Sequence, residues 1–167
     1  MRRATRARRV VITAADRAEI GELVHRYAYL VDNREIQAVA ELFLDAAVLV
    51  LPDPPTELGP VRRHAGRAQI VRALRSLSEI PVTLHAVLGL VVDPDGAGGA
   101  VGSVTGVAHH VSDRPDGTTA DLVWYLRYAD TYQRDGGRWR IARRALQIEW
   151  METRRVRQRR RSVRAES

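Results

Sequence analysis

The stretch DLVWYLRYADTYQRDGGRWRIARRALQIEW, residues 121–150, decides the fold of this chain. It predicts two long β-strands joined by a tight turn at Asp135-Gly136-Gly137, because glycine adopts the positive φ angles that short hairpin loops require. Alternate side chains of a strand point to opposite faces. One face of the first strand then carries Leu122, Trp124, Leu126, Tyr128, Asp130 and Tyr132, and the other carries Val123, Tyr125, Arg127, Ala129 and Thr131. A hairpin this long and aromatic needs cover from the rest of the chain.

Two more strands precede this hairpin. Residues 82–92 and 100–111 have a two-residue period, with a turn at residues 93–96 between them and another at residues 113–117 before the hairpin. Upstream of Pro81 the period is that of a helix instead. The second half of the chain is therefore predicted to be a meander of four antiparallel strands.

The first half is predicted to be mainly helical. Residues 13–31 form the strongest helix, because apolar residues recur there at spacings of three and four, and Thr13 is placed to cap its start. A second, shorter helix is expected to run from the break at Asp32-Asn33-Arg34-Glu35 through Phe43, and a third spans residues 65–77. Between them, residues 46–51 read as a short strand and the proline-rich residues 53–60 as a loop.

This order of elements indicates an α+β fold. We expect a curved antiparallel sheet wrapped by three N-terminal helices, forming a cone with an internal pocket.

The positive charge of the chain is concentrated at its two ends. Among its 167 residues, 27 are basic, all of them arginine, and 20 are acidic, giving a net charge of +7. Residues 1–12 and 154–167 hold 12 of the arginines and one glutamate, so residues 13–153 carry 15 basic and 19 acidic groups, a net charge of −4. We therefore expect one domain at residues 13–153 between two flexible basic tails at 1–12 and 154–167.

Composition argues against several classes of protein. The chain lacks a run of about 18 apolar residues, so no membrane span is expected. It has no cysteine, which excludes disulfides and thiolate chemistry and suggests a cytoplasmic protein. No glycine-rich loop lies between a predicted strand and a helix, so we expect no nucleotide cofactor.

Several polar residues interrupt the apolar pattern. Asp32 ends the first helix, His85 lies in the middle of a strand, and His110 lies on the next strand with His109 pointing the opposite way. Such departures from local rules tend to occur at functional sites.

Each of these residues also has an ordinary structural explanation. Asp32 is a candidate cap for the second helix, His85 a core histidine with one hydrogen bond, and the other two histidines are candidate rim residues. Asp130 is a candidate partner of Arg127 or Arg143 across the sheet. Three histidines and an aspartate also suit a 2-His-1-carboxylate metal site, but the close spacing typical of such ligands is missing, so no metal is expected.

The order of elements and five segments together resemble the SnoaL-like proteins of the nuclear transport factor 2 superfamily, whose members include scytalone dehydratase, hexachlorocyclohexane dehydrochlorinase, ketosteroid isomerase and polyketide cyclases. The segments are HRYAYLVDN (25–33), AVAELFLDAA (38–47), HAGRAQIVRAL (64–74), TLHAVLG (83–89) and RYADTYQRDGGRWRIARR (127–144). The resemblance covers residues 13–150.

The resemblance implies an aspartate–histidine dyad at Asp32 and His85, with His110 as a second catalytic histidine. It implies a cofactor-independent lyase, isomerase or cyclase that abstracts a proton from a small hydrophobic ring or polyketide-type substrate. The chain departs from the dehydratase at Leu126 and Tyr128, where that enzyme carries a small polar pair, and this argues against scytalone as the substrate.

Apolar and aromatic side chains on the inward-facing sides of the predicted elements are expected to form a pocket around this dyad. The expected lining residues are Tyr27, Val87, Trp124, Leu126, Tyr128 and Trp150. We expect His110 and Tyr128 to polarise an oxyanion that develops on the substrate.

Assembly is also expected, as a homodimer or homotrimer. The three helices cannot cover both faces of the sheet, which leaves Val123, Tyr125 and Ala129 exposed on the outer one.

Two other classes of function remain open. The chain is alternatively a binding or scaffold protein that kept the pocket without chemistry. The arginine tails alternatively bind nucleic acid through phosphates, although they lack the aromatic residues on which bases stack.

Overall fold

The computed structural model, which describes residues 11–159, contains a six-stranded sheet and three helices, and the helices all come from the first half of the chain. The helices are α1 (Ala14–Asp32), α2 (Ile36–Glu41) and α3 (Arg67–Leu74), and a 3-10 helix, Arg75–Glu79, follows α3. The strands are β1 (Phe43–Asp53), β2 (Glu57–Ala65), β3 (Val82–Pro94), β4 (Ala100–Asp113), β5 (Thr119–Asp135) and β6 (Arg138–Val156). The predicted α+β class and the three wrapping helices are confirmed.

The sheet has the strand order β2-β1-β6-β5-β4-β3. The predicted meander of β3 to β6 is confirmed, since each of these strands pairs antiparallel with the next. The pairing of β1 with β6 is parallel, from Phe43 opposite Ile141 to Val50 opposite Ala145. The sheet is therefore mixed, because β1 reaches β6 through a long connection that permits either direction.

Helix α1 lies across the sheet and supplies much of the core. A capping box starts it, in which Thr13 Oγ1 accepts from the Asp16 amide at 3.1 Å and the Thr13 amide donates to the Asp16 carboxylate at 2.9 Å. The hydrogen bonds from Thr13 lower the pKa of Asp16. Ile20, Val24 and Val31 of the predicted apolar stripe are buried, which fixes the rotation of the helix and therefore the position of its last residue, Asp32.

The boundaries of the early elements differ from the prediction. Helix α2 ends at Glu41 rather than at Phe43, which is buried at the start of β1. The predicted third helix is α3 followed by a 3-10 turn. The expected loop at residues 53–60 is wrong in its second half, because β2 begins at Glu57. This strand lies at the edge of the sheet and is mostly exposed, so it tolerates Pro60 and shows no apolar alternation.

Residues 1–10 and 160–167 lie outside the described residues. Strand β6 continues to Val156, so the first residues of the expected C-terminal tail belong to the sheet.

On the outer face of the sheet Val123 is fully buried, so its predicted exposure is wrong, whereas Leu84, Leu88 and Trp150 are each more than half exposed. No helix in the described residues is long and apolar enough to cross a membrane.

Candidate active site

Asp32 and His85 meet where the end of α1 approaches β3. The Nδ1 atom of His85 lies 2.7 Å from Asp32 Oδ1, and the backbone amide of His85 donates to Asp32 Oδ2 at 2.7 Å. Burial alone would raise the pKa of Asp32, but the hydrogen bonds from His85 and Thr83 outweigh it and lower the pKa. An ionised carboxylate at this position accepts a hydrogen bond from the Nδ1–H group of His85, which leaves Nε2 of His85 free to accept a proton. The geometric expectation that the two residues lie within hydrogen-bonding distance is met, and Asp32 does not cap α2, whose N-cap is Glu35.

Two residues that the sequence analysis missed hold this carboxylate in place. Thr83 Oγ1 donates to Asp32 Oδ1 at 2.9 Å and accepts a hydrogen bond from Arg34 at 2.6 Å. Arg34 also donates to the carbonyl of Ile80 at 2.8 Å. The backbone of Arg34 has φ 63°, a conformation that non-glycine residues adopt rarely, and it directs the side chain back toward β3. No sequence motif marks either residue, because their role depends on the approach of α1 to β3.

His85 opens into a cavity of about 340 Å³ between the sheet and the helices. This volume is typical of small-molecule sites. The lining includes Tyr27, His110, Trp124, Leu126 and Tyr128 from the predicted set, together with Leu51, Leu74, Leu77 and Leu146. Asp53, Arg62, His64 and Ser76 also line the cavity, so its wall combines an apolar surface with several polar and charged side chains, among them His85.

His110 lies beside His85, with 6.0 Å between the ring centroids. The Nδ1 atom of His110 is 3.0 Å from the carbonyl oxygen of Leu122, so Nδ1 carries the proton and donates. Burial lowers the pKa of His110 to about 4, and the ring is therefore neutral at pH 7 with a bare Nε2. A bare nitrogen accepts hydrogen bonds and cannot donate them, so the predicted polarisation of an oxyanion by His110 requires a proton on Nε2.

A buried ion pair forms the layer beneath the two cavity tyrosines. The Arg144 side chain lies against the rings of Tyr27 and Tyr128, at 4.2 and 4.4 Å from their centroids, and binds Asp130 through two hydrogen bonds of 2.9 and 2.6 Å. Burial opposes the charge of Arg144, but Asp130 outweighs it and raises the pKa of the guanidinium. Burial also raises the pKa of Tyr27 and Tyr128, which keeps both hydroxyls neutral and able to donate.

The Asp130 pairing corrects the sequence analysis. The proposed partners were Arg127 and Arg143, but both belong to the opposite face of the sheet, whereas Arg144 lies directly across from Asp130 on β6.

Val87 lines a smaller cavity of about 10 Å³ beneath α1, which shares Tyr27, His85, Leu126 and Tyr128 with the larger one. One predicted lining residue lies elsewhere. Trp150 is 56% exposed and stacks on Tyr125 on the outer face, so its predicted place in the pocket is wrong. The cause is a β-bulge.

Leu126 pairs with Ile148 but Tyr125 pairs with Trp150, which makes Glu149 an extra residue on β6. An extra residue reverses the facing of every later side chain on its strand. Trp150 therefore points to the opposite side from Ile148.

His109 points to the outer face, as predicted. It forms a second pair there, with Nδ1 2.6 Å from Asp121 Oδ2. Within residues 11–159, no group of three or more histidine, cysteine, aspartate or glutamate side chains is arranged to hold a metal ion.

Comparisons with known proteins give a family from one match and a fold from the solved structures. The family model described as a SnoaL-like domain matches residues 13–145. Among solved structures, a candidate scytalone dehydratase from Novosphingobium aromaticivorans superposes with a TM-score of 0.69 at 20% identity, covering 92% of this chain and 95% of that one.

A protein of Kribbella flavida gives a TM-score of 0.71 at 24% identity, covering 83% of this chain and 93% of that one. Hexachlorocyclohexane dehydrochlorinase type 3 from Novosphingobium barchaimii gives 0.66 at 15% identity, covering 83% and 90%. At these identities the solved structures show the fold. A search of curated proteins gives no significant match.

Proposed function

The chain belongs to the SnoaL-like domain family, and we propose that it is a cofactor-independent lyase, isomerase or cyclase that acts by proton abstraction on a small hydrophobic ring substrate. The observation that carries the proposal is the 2.7 Å contact between His85 and Asp32 at the edge of the cavity. An ordinary core histidine does not require a half-buried carboxylate behind it and a cavity in front.

The proposed reaction begins with proton transfer to Nε2 of His85. The substrate supplies a C–H bond next to a carbonyl or a leaving group, and the electron pair of that bond forms a new double bond. In an elimination the leaving group departs with its own bonding pair, and in an isomerisation the proton returns to another carbon. Asp32 stabilises the imidazolium and holds the ring in the tautomer that leaves Nε2 free.

The walls of the cavity support a ring-shaped, largely apolar substrate. Leucine side chains from β1, α3 and β6 line the cavity together with Trp124, and Tyr128 offers a neutral hydroxyl to an oxygen on which charge develops. A cytoplasmic location is part of the same proposal.

The test uses carbon–hydrogen exchange, because deuterium uptake can be measured on a compound whatever product the enzyme makes from it. A panel of cyclic ketones and aromatic polyketides is incubated in deuterated water, and deuterium uptake is followed by NMR. Removal of the general base in His85→Ala is expected to lower the rate by about 10²–10⁴-fold, and Asp32→Asn is expected to lower the rate with a smaller effect on ligand binding.

His109→Ala is the matched control, since His109 also contacts an aspartate at 2.6 Å but lies on the outer face. It is expected to exchange the panel at the wild-type rate. Ligand binding with no exchange in the wild type would instead favour the alternative, a non-catalytic binding or scaffold protein.

The proposal extends to assembly as a homodimer or homotrimer. Leu84, Leu88 and Trp150 expose apolar surface on the outer face, away from the cavity. Sedimentation velocity at micromolar concentration is expected to show an oligomer that Leu88→Lys weakens. A monomeric wild type contradicts this part of the proposal.

A further inference from the structure

The last part of β6 forms a free edge of the sheet. Strand β1 pairs with β6 only as far as Ala145, whereas β5 pairs with β6 to its end at Val156. Within residues 11–159, no other strand pairs with residues 146–156 on the side away from β5. Residues 149–156 are exposed or partly exposed. A long free edge presents unpaired backbone N–H and C=O groups, which are a template for a further strand.

The side chains along this edge carry charges of both signs. Glu152 and Arg154 form an ion pair with each other, and both side chains reach solvent. Glu152 accepts a hydrogen bond from Tyr125, which places the ion pair on the outer face of the sheet. Charged side chains usually protect an edge from pairing, because like charges meet when two copies approach. Here the two signs alternate along the strand, so an antiparallel copy is able to bring opposite charges together.

A two-fold axis through Thr153, perpendicular to the sheet, gives the register that fits these charges. This axis keeps the outer faces of both copies on the same side, and it sets Glu152 opposite the partner subunit's Arg154. It also sets Trp150 opposite the partner subunit's Val156 on the same face. Opposite charges and pairs of an aromatic with a β-branched residue are both favourable across antiparallel strands. Moving the axis by one residue in either direction places Glu152 or Arg154 against its own copy.

We propose that β6 pairs edge to edge with β6 of a second copy, in antiparallel register about Thr153, so that two six-stranded sheets join into one continuous sheet. Backbone hydrogen bonds hold the two strands together, and the charges select the register. The same patch serves both copies, as in other two-fold interfaces. This surface goes beyond the proposed function, because it involves neither His85 nor the cavity, and it differs from the part of the outer face that exposes Leu84 and Leu88.

A single cysteine at position 153 tests the register directly, because the natural chain contains no cysteine. In the full-length Thr153→Cys variant the two thiols face each other across the axis, with Cβ atoms about 4.5–5.5 Å apart. The protein is oxidised with diamide at micromolar concentration and run on a denaturing gel without reductant. Most of the chain is expected to migrate as a dimer, which dithiothreitol returns to monomer.

Met151→Cys and Arg155→Cys are the matched controls on the same strand. In the proposed register each position lies opposite the other one and four residues away from its own copy, which is about 13 Å along the strand. A disulfide requires Cα atoms within about 7 Å of each other. Each control alone is therefore expected to stay monomeric on the gel, whereas a mixture of the two variants is expected to give a cross-linked dimer.

Charge reversal tests how the register is selected. Glu152→Arg and Arg154→Glu each create two like-charged contacts across the axis, and each is expected to raise the dissociation constant of the dimer about tenfold. The double variant Glu152→Arg/Arg154→Glu exchanges the two signs and is expected to return the dissociation constant to within about threefold of the wild type. Sedimentation velocity measures the dissociation constants, and circular dichroism checks the fold.

The outcomes distinguish this interface from the other proposals. Absence of a cross-link in Thr153→Cys, equal cross-linking of all three cysteine variants, or a double variant no better than the single ones refutes pairing in this register. If Thr153→Cys stays uncrosslinked while Leu88→Lys weakens an oligomer, assembly through the outer face stands and edge pairing falls. Deuterium exchange measures proton abstraction by His85 separately, so failure of the edge pairing leaves the proposed chemistry untouched.

Discussion

Replacing Arg144 by methionine tests whether the buried ion pair holds the floor of the cavity. Arg144 is fully buried and Asp130 is 3% exposed. Methionine fills a similar length without a charge. It removes both hydrogen bonds to Asp130 and leaves that carboxylate with the hydroxyl of Tyr132, at 2.6 Å, as its remaining side-chain donor.

The expected loss of stability is about 3–5 kcal/mol, the usual cost of breaking a buried pair by removing one partner. The contacts of the guanidinium with the rings of Tyr27 and Tyr128 favour the upper part of that range. Most of the cost comes from the stranded charge of Asp130. The double variant Arg144→Met/Asp130→Asn, which removes that charge and keeps an acceptor for Tyr132, is therefore expected to be more stable than Arg144→Met by at least about 1 kcal/mol.

Urea unfolding followed by circular dichroism measures these differences. Arg143→Met is the matched control, because Arg143 is the neighbouring arginine and is exposed; its cost should stay within about 0.5 kcal/mol. A cost below about 1 kcal/mol for Arg144→Met, or a double variant no more stable than the single one, would show that the pair does not hold this layer together.

Three further predictions concern the sheet and the site. Gly102→Ala should destabilise the fold by about 1–3 kcal/mol, because its new Cβ would lie 2.6 Å from the buried ring of Tyr132. Gly89→Ala is the control and should cost less in urea unfolding, because no atom lies within 4 Å of its new Cβ. Equal losses of stability in the two variants would contradict this reasoning. Thr83→Val should lower kcat about ten- to a hundredfold with little change in KM, because the Asp32 carboxylate behind His85 loses a hydrogen-bond donor. Thr83→Ser keeps the hydroxyl and should stay near the wild type. A rise in KM with unchanged kcat would argue against a positioning role for Thr83. The pKa of His110 is lowered to about 4 in the folded state, so its contribution to stability is complete above its unfolded pKa of about 6.5. This contribution is lost as the pH falls toward 4, by up to about 3 kcal/mol. The urea midpoint of unfolding should therefore depend less on pH in His110→Asn than in the wild type, and an unchanged slope would refute the assignment.

The sequence predicted those parts of the site that depend on local periodicity. The apolar stripe of α1 placed Asp32 at the end of a helix, and the two-residue period of the strands placed His85 and Trp124 on inward-facing positions. Side-chain burial repeats with the period of the backbone, so it can be read from neighbouring residues alone. The resemblance to the SnoaL-like proteins added the expectation that Asp32 and His85 meet.

Tertiary structure decided the features that depend on distant parts of the chain. Arg144 looks like its neighbour Arg143 in the sequence, and its burial follows from its place opposite Asp130. The edge strand β2 has too few buried residues to show a pattern. The carbonyl of Leu122 on the adjacent strand decides which ring nitrogen of His110 carries the proton.

The β-bulge in β6 shows why the facing of a side chain cannot always be read from the sequence. One extra residue at Glu149 moves Trp150 from the predicted cavity wall to the outer face without changing the alternation of the sequence around it. The sequence by itself therefore determined most of the helices and strands, with β2 as the exception, and the apolar face of α1. Register, strand partners and the pairing of buried charges were decided by the packing of the whole sheet, because these depend on contacts between residues far apart in the chain.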